Sequence, residues 1–127
     1  MMSEAPGDLF YTKEHEWLRI EGDEATIGIT DHAQEALTDI VYIELPESGG
    51  TYGDMEEFAI VESVKSASPI FAPLAGEIIA VNDSLEDTPE LMNEDPYGEG
   101  WIVKFRLENA NSTEGLMSAS EYLALIA

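Results

Sequence analysis

One lysine carries most of the chemical information in this sequence. Lys65 lies in the run Val61-Glu62-Ser63-Val64-Lys65-Ser66-Ala67-Ser68-Pro69, and is one of three lysines in a chain with 27 acidic residues. An apolar, β-branched run (Phe58, Ile60, Val61, Val64) leads up to it, and a second (Ile70, Phe71, Pro73, Gly76, Ile78, Ile79, Val81) leads away. Two such runs around small, turn-forming residues predict a β-hairpin over about 55–82 with Lys65 near its tip. A tip lysine is solvated, reachable by another enzyme and held on a stiff support, the conditions for covalent attachment. Taken alone it would be an ordinary solvated hairpin lysine, and its context shifts that reading. Its small neighbours Ser66, Ala67 and Ser68 leave room for a modifying enzyme, and Glu62, three residues earlier, is a candidate recognition handle.

Other chemistry is thin. His15 and His32 are seventeen residues apart, and the chain has no cysteine, so no metal signature, disulfide or thiol nucleophile is encoded. His15 reads as a structural polar contact and His32 as a residue of a helix's first turn. The acids Asp83, Glu86, Asp87, Glu90, Glu94 and Asp95 lack the order of a calcium loop and read as a solvated face. Trp17 and Trp101 sit on alternating runs and read as core. No Ser-His-Asp set, phosphate-binding glycine loop or metal cluster points to an enzyme.

The elements that position Lys65 follow from local pattern. Phe10–Ile20 and Ala25–Ile29 read as a strand pair across Glu21-Gly22-Asp23-Glu24. Thr30-Asp31 caps a short helix, with Asp31 and Gln34 at capping-box spacing and Ala33, Ala36 and Leu37 on its apolar face. Ile40–Leu45 reads as an alternating strand, and Pro46-Glu47-Ser48-Gly49-Gly50 as a turn. The stretch 82–100 reads as an acidic loop with one helical turn near Glu90–Asn93. Trp101–Leu107 alternates as a strand, and a C-terminal helix over about 116–127 is capped by Ser112 or Ser118. Many short strands with small helical additions indicate a mainly β sandwich or barrel.

At 127 residues the chain is one domain by length, with 44% apolar residues and a formal charge of −22. That charge argues against nucleic acid or anionic membrane as partner and predicts basic partner surfaces. It also predicts a monomer at low salt. Self-repulsion relieved by salt points to a halophilic source, with an acidic carrier of an ordinary cell as the alternative. No run approaches the ~18 apolar residues of a membrane span, and the first eight residues carry Glu4 and Asp8 without a basic residue. A soluble cytoplasmic protein is the expectation.

The segment Val61–Asn82 around Lys65 resembles the lipoyl-lysine segment of the glycine cleavage system H protein family. His15-Glu16-Trp17, Ile27-Gly28-Ile29-Thr30, Ala33-Gln34, Asp39–Gly49, Asp95–Trp101, and Leu116 with Tyr122 are similar to that family in the same order. The resemblance implies a lipoyl/biotinyl-type barrel-sandwich hybrid of two antiparallel sheets with short added helices, formed by one lipoyl-carrier domain over 1–127. It implies lipoate joined to Lys65 by a separate lipoate-attaching enzyme, on a non-catalytic carrier. Such a carrier takes an aminomethyl group from pyridoxal-phosphate-dependent glycine decarboxylase as CO2 leaves. It delivers the group to the tetrahydrofolate-dependent aminomethyltransferase, and the FAD enzyme dihydrolipoyl dehydrogenase reoxidises it. A tethered arm raises the effective concentration of its cargo at each partner.

By matching position, Glu16, Ile29 and Leu37 would form the cleft that shelters the arm, with Glu16 facing the cationic amine and the other two forming an apolar wall. A biotinyl domain normally has methionines beside its lysine, where this chain has Val64 and Ser66. A lipoyl carrier of a 2-oxo-acid dehydrogenase, or another lipoyl relay, is the alternative; an unmodified acidic scaffold is a further one. The chain departs from the family's pattern at Pro69, where an acid is usual, at Glu14, where Ser is usual, and at Thr38, where Gly is usual.

Overall fold

The computed structural model describes residues 5–109, 113 and 115–127. Its strands follow the β-branched and aromatic runs. β1 (Phe10–Tyr11) and β2 (Glu16–Glu21) pair antiparallel, with Phe10 opposite Leu18 and Tyr11 opposite Trp17. The single strand expected over Phe10–Ile20 is therefore two. Thr12–His15 break it, because the Thr12 hydroxyl accepts the backbone N–H groups of both Glu14 and Glu16, and His15 takes a φ of 70°. A side-chain oxygen that satisfies local amides competes with the ladder.

β3 (Glu24–Ile29) returns across Gly22, whose φ is 65°, and leads into α1 (Asp31–Leu37). Thr30 is the N-cap: its hydroxyl accepts from the Ala33 N–H, while Asp31 accepts instead from the Gln34 side chain. β4 (Ile40–Glu44) does not keep strict alternation. A register shift between Ile40 and Tyr42 buries Ile40 and Ile43 and leaves Val41 and Tyr42 exposed. That extra residue is the local signature of a bulge. β5 (Thr51–Tyr52) follows the Pro46–Gly50 turn and was not expected.

β6 (Glu57–Ser63) and β7 (Ala67–Phe71) form the lysine hairpin. Its return leg does not run to Val81. The segment 72–75, with Pro73 in it, leaves the sheet, and β8 (Gly76–Val81) joins the other one. Gly76 allows this crossing, since a Cβ there would lie 2.5 Å from the Arg106 carbonyl oxygen. The acidic stretch folds as two single turns, α2 (Ser84–Asp87) and α3 (Leu91–Glu94), which bury Leu85 and Met92. β9 (Val103–Leu107) alternates as its sequence predicts. α4 (Ala119–Ile126) starts at a Ser118/Glu121 capping box, and Met117 before it bridges to Tyr11. Ser112, the other expected cap, lies outside the described residues.

Six strands in the order β1-β2-β3-β9-β8-β5 form one antiparallel sheet, and β4-β6-β7 form a second. Their inner faces share one core, in which Leu18, Ile27, Ile78 and Phe105 meet Ile43, Phe58, Val61 and Ile70. Phe58 meets Phe105 edge to face at 5.5 Å between the sheets. The fold is a two-sheet sandwich without closure into a barrel. A smaller cluster of Leu9, Tyr11, Trp17 and Tyr122 seats α4 against the six-stranded sheet.

Candidate functional site

The tip of the hairpin is a four-residue turn, Ser63-Val64-Lys65-Ser66, closed by the Ser63 N–H donating to the Ser66 carbonyl at 2.8 Å. The Ser63 hydroxyl accepts the backbone N–H groups of Lys65 at 3.1 Å and Ser66 at 3.2 Å. The Val64 N–H donates to the Asp39 carbonyl, tying the tip to the loop after α1. Lys65 is thus exposed on a backbone whose amides are satisfied. Ser63 was not singled out in the sequence, although a serine two residues before a turn residue is an ST-turn signal. Glu62 is exposed on β6, outward of the buried Val61. The Lys65 ammonium lies 3.3 Å from the Ala36 carbonyl near the C-terminal end of α1, the favourable pole for a cation.

Beside that contact opens a cleft of about 250 Å³. Ala33, Ala36 and Leu37 of α1 form one wall, Glu14 and His15 a second, and Ser68–Phe71 of β7 the third, with Ile29 also in the lining. Pro69 lies on β7, an edge strand, where its missing N–H breaks no required ladder bond. Ile29 and Leu37 are among the residues that line this cleft, while Glu16 is not. The Glu16 side chain is fully buried: Oε1 accepts from the Thr12 hydroxyl at 2.6 Å, and Oε2 from the Phe71 N–H at 3.4 Å. Burial pushes its pKa up to about 7, with the Glu14 carboxylate adding to the rise and the two hydrogen bonds opposing it. Glu14, not Glu16, is the acidic residue in the cleft lining.

The two histidines come together, with ring centroids 4.8 Å apart. Burial holds the His15 pKa below its ordinary value, helped by His32 and opposed by Glu14. His15 Nδ1 is 2.8 Å from the Tyr122 hydroxyl, which also lies 2.7 Å from Thr30 Oγ1. A larger cavity of about 490 Å³ lies on the other side of Glu14, between Thr12–Glu14, Asp54–Met55, Pro73–Leu74 and Gly115–Met117. It is remote from Lys65 along the hairpin, since β7 alone carries the chain ~17 Å at ~3.3 Å per residue.

An exposed, backbone-locked lysine at a hairpin tip, with a slender cleft at its side, is the arrangement of a carrier. The model of the glycine cleavage H-protein family matches residues 9–127. The chain belongs to that family. It is 56% identical to the glycine cleavage system H protein of Psychrobacter sp. (strain PRwf-1) over 97% of this chain and 98% of that one. It is 54% identical to that of Chromohalobacter salexigens, over 98% and 96%. The crystal structure of a glycine cleavage system H protein from Mycobacterium marinum superposes with a TM-score of 0.86 at 40% identity, over 94% of this chain and 97% of that one. Family membership makes the chain a carrier component of the glycine cleavage system, and the lipoyl-type sandwich expected from sequence is the fold observed. Among the described residues no helix is long and apolar enough to cross a membrane.

Proposed function

We propose that Lys65 is the attachment site of the lipoyl group, joined through an amide to Nζ, and that the chain as a whole, 1–127, is one carrier unit. The residues fit the group. Nζ is exposed and reaches the Ala36 carbonyl, the tip backbone is held by Ser63, and an apolar-lined cleft starts at Ser68, three residues after Lys65. From the lysine Cα a lipoyl-lysine arm spans twelve bonds, ~15 Å at most, which covers Ser68 to Ile70. When bound, the lipoyl group supplies the disulfide and dithiol that a cysteine-free chain lacks, and with them the capacity to hold a one-carbon unit and two electrons.

The chain's own residues orient and shelter. Ile29 and Leu37 exclude water from the cleft, Glu14 offers a negative charge at its mouth, and the buried Glu16 sets the distance between its floor and β7. A cationic amine in the cleft would favour the ionised form of Glu16. The partners are glycine decarboxylase, the tetrahydrofolate-dependent aminomethyltransferase, dihydrolipoyl dehydrogenase and a lipoate-attaching enzyme that reads the tip and Glu62. The chain itself is non-catalytic, a cytoplasmic monomer whose acidity suits a salt-rich interior.

The observation that carries this reading is the position of Lys65. The intact mass of protein from its native cells, with peptide mapping across 57–71, tests it. One lipoyl group on Lys65, and glycine–bicarbonate exchange supported by the modified protein with the decarboxylase, is the expected result. A bare lysine in cells that lipoylate other proteins would end the proposal.

A further inference from the structure

The cleft has three walls from three distant parts of the chain, and something must hold them at a fixed spacing. Tyr122 is a buried side chain of α4 whose hydroxyl touches two of the walls. It lies 2.8 Å from His15 Nδ1, on the wall that precedes β2, and 2.7 Å from Thr30 Oγ1, which in turn accepts the Ala33 N–H as the N-cap of α1. With His15 neutral, the hydrogen bonds run in one direction. The Thr30 hydroxyl donates to Tyr122, and Tyr122 donates to His15, so both hydroxyls and His15 Nδ1 are satisfied. The ring is itself fixed, stacked on Tyr11 at 4.8 Å and 10° between planes. Tyr11 exchanges both backbone hydrogen bonds with Met117 just before α4. A buried hydroxyl costs stability unless it is bonded, and a phenylalanine would fill the same apolar seat among Leu9, Tyr11 and Trp17. The hydroxyl's distinct contribution is the link between the walls.

We propose that Tyr122 is a positioning residue for the carrier cleft, fixing α1 against the His15 turn so that the C-terminal helix sets how tightly the cleft closes over the carried group. This rests on the carrier reading given above. Tyr122 is not among the residues that line the cleft; it acts through Thr30 and His15.

The test is Tyr122→Phe, with Val103→Ala as a control that loosens the core on the far side of β3. In unlipoylated protein, amide hydrogen exchange reads the walls directly. Exchange at Ala33 and Thr30 is expected to rise about tenfold in Tyr122→Phe, the worth of one net hydrogen bond, while Ile27 and Phe105 change only with global stability. In lipoylated protein loaded by the decarboxylase, the second readout is escape of the carried group without the transferase. One water is consumed, the carbon leaves as formaldehyde and the nitrogen as ammonia, and the sulfur regains its proton. Tyr122→Phe is expected to release ammonia several-fold faster than wild type, and Val103→Ala at the wild-type rate. Unchanged local exchange, unchanged release, or equal acceleration by Val103→Ala overturns the inference and leaves the carrier reading standing. A wild-type protein that takes no group from the decarboxylase removes both.

Discussion

The carboxylate of Glu16 on β2 accepts the backbone N–H of Phe71 on β7, so a single buried side chain joins the six-stranded sheet to the lysine hairpin of the other. Its second oxygen is taken by Thr12, whose own hydroxyl oxygen gathers the amides of the turn before β2. A carboxyl group so placed is a spacer as well as an acid. It fixes the back of the cleft, and desolvation leaves it protonated over part of the neutral range.

The raised pKa of Glu16 has a defined sign in stability. Its folded-state value of about 7 lies above the ordinary 4.5, so the unfolded chain releases this proton first as pH rises. The group's contribution is fully present below about pH 4.5 and is lost progressively up to about pH 7. Glu16→Gln removes the titration and keeps an acceptor for Phe71. Denaturant unfolding of both proteins across pH 4–8 should show the variant gaining on wild type by about 3 kcal/mol between those limits. The difference cancels the repulsion among the many surface carboxylates, which both proteins share. A constant difference across the range would mean that Glu16 ionises normally.

Local chemistry made much of this architecture legible. The turn after Leu45, the Ser118 cap, the alternation of Val103–Leu107 and the tip position of Lys65 depend on side-chain period and turn residues within a few positions. Trp101, read as part of that strand, lies outside it and is half-buried. What stayed hidden depends on contacts far apart in the chain. The bulge beside Val41 appears only once β4 has β6 as its partner. The same holds for the hairpin's exit at 72–75, where Gly76 must approach Arg106. Glu16 lies outside the cleft lining, and one of its hydrogen-bond partners, the Phe71 N–H, is 55 residues away. Tyr122 finds its partners 92 and 107 residues upstream, a distance at which sequence pattern gives no signal.

Thr38 carries strain that its neighbours hold in place. It closes α1 with φ 62° and ψ −142°, a region in which a β-branched side chain is disfavoured and glycine is not. Its carbonyl accepts from Asn93 at 2.7 Å, so α3 pins the conformation. Thr38→Gly should therefore stabilise the protein by about 1 kcal/mol, the strain relieved exceeding the added freedom of the unfolded chain. Chemical denaturation at pH 7 measures it. Equal or lower stability would show that the Thr38 hydroxyl bond to the Leu37 carbonyl offsets the strain.

The acidic surface predicts salt dependence. The few cations make little use of carboxylates: Arg19 donates to the Tyr97 carbonyl and lies over Trp17, Lys104 lies over Trp101, and Lys65 reaches a carbonyl. Arg106 approaches Asp23 and Glu77 at 4.0 and 3.9 Å, both on the exposed surface where ion pairs are weak. With a formal charge of −22, screening should raise Tm by about 4 °C or more between 0.05 M and 2 M KCl, the shift expected for roughly 1 kcal/mol in a domain of this size. NaCl should match KCl if screening is the cause. A flat response would remove the argument for a salt-rich setting.

Gly28 is tightly packed one residue before Ile29 of the cleft lining. It faces Trp17 across the β2–β3 ladder, and a Cβ there would lie 2.7–2.8 Å from the indole Nε1, Cε2 and Cζ2. The indole is fully buried and its Nε1–H donates to the Pro96 carbonyl at 2.9 Å, so it has nowhere to retreat without losing that bond. Gly28→Ala should cost about 2–3 kcal/mol, the sum of overpacking and a strained or broken buried hydrogen bond. Because Trp101 is only partly buried, the variant should also shift the bluer, buried component of the fluorescence toward longer wavelength. Unfolding curves and emission spectra recorded together check both consequences. A stable variant with an unmoved spectrum would mean that β3 can slide away from the ring, which would also displace Ile29 at the cleft.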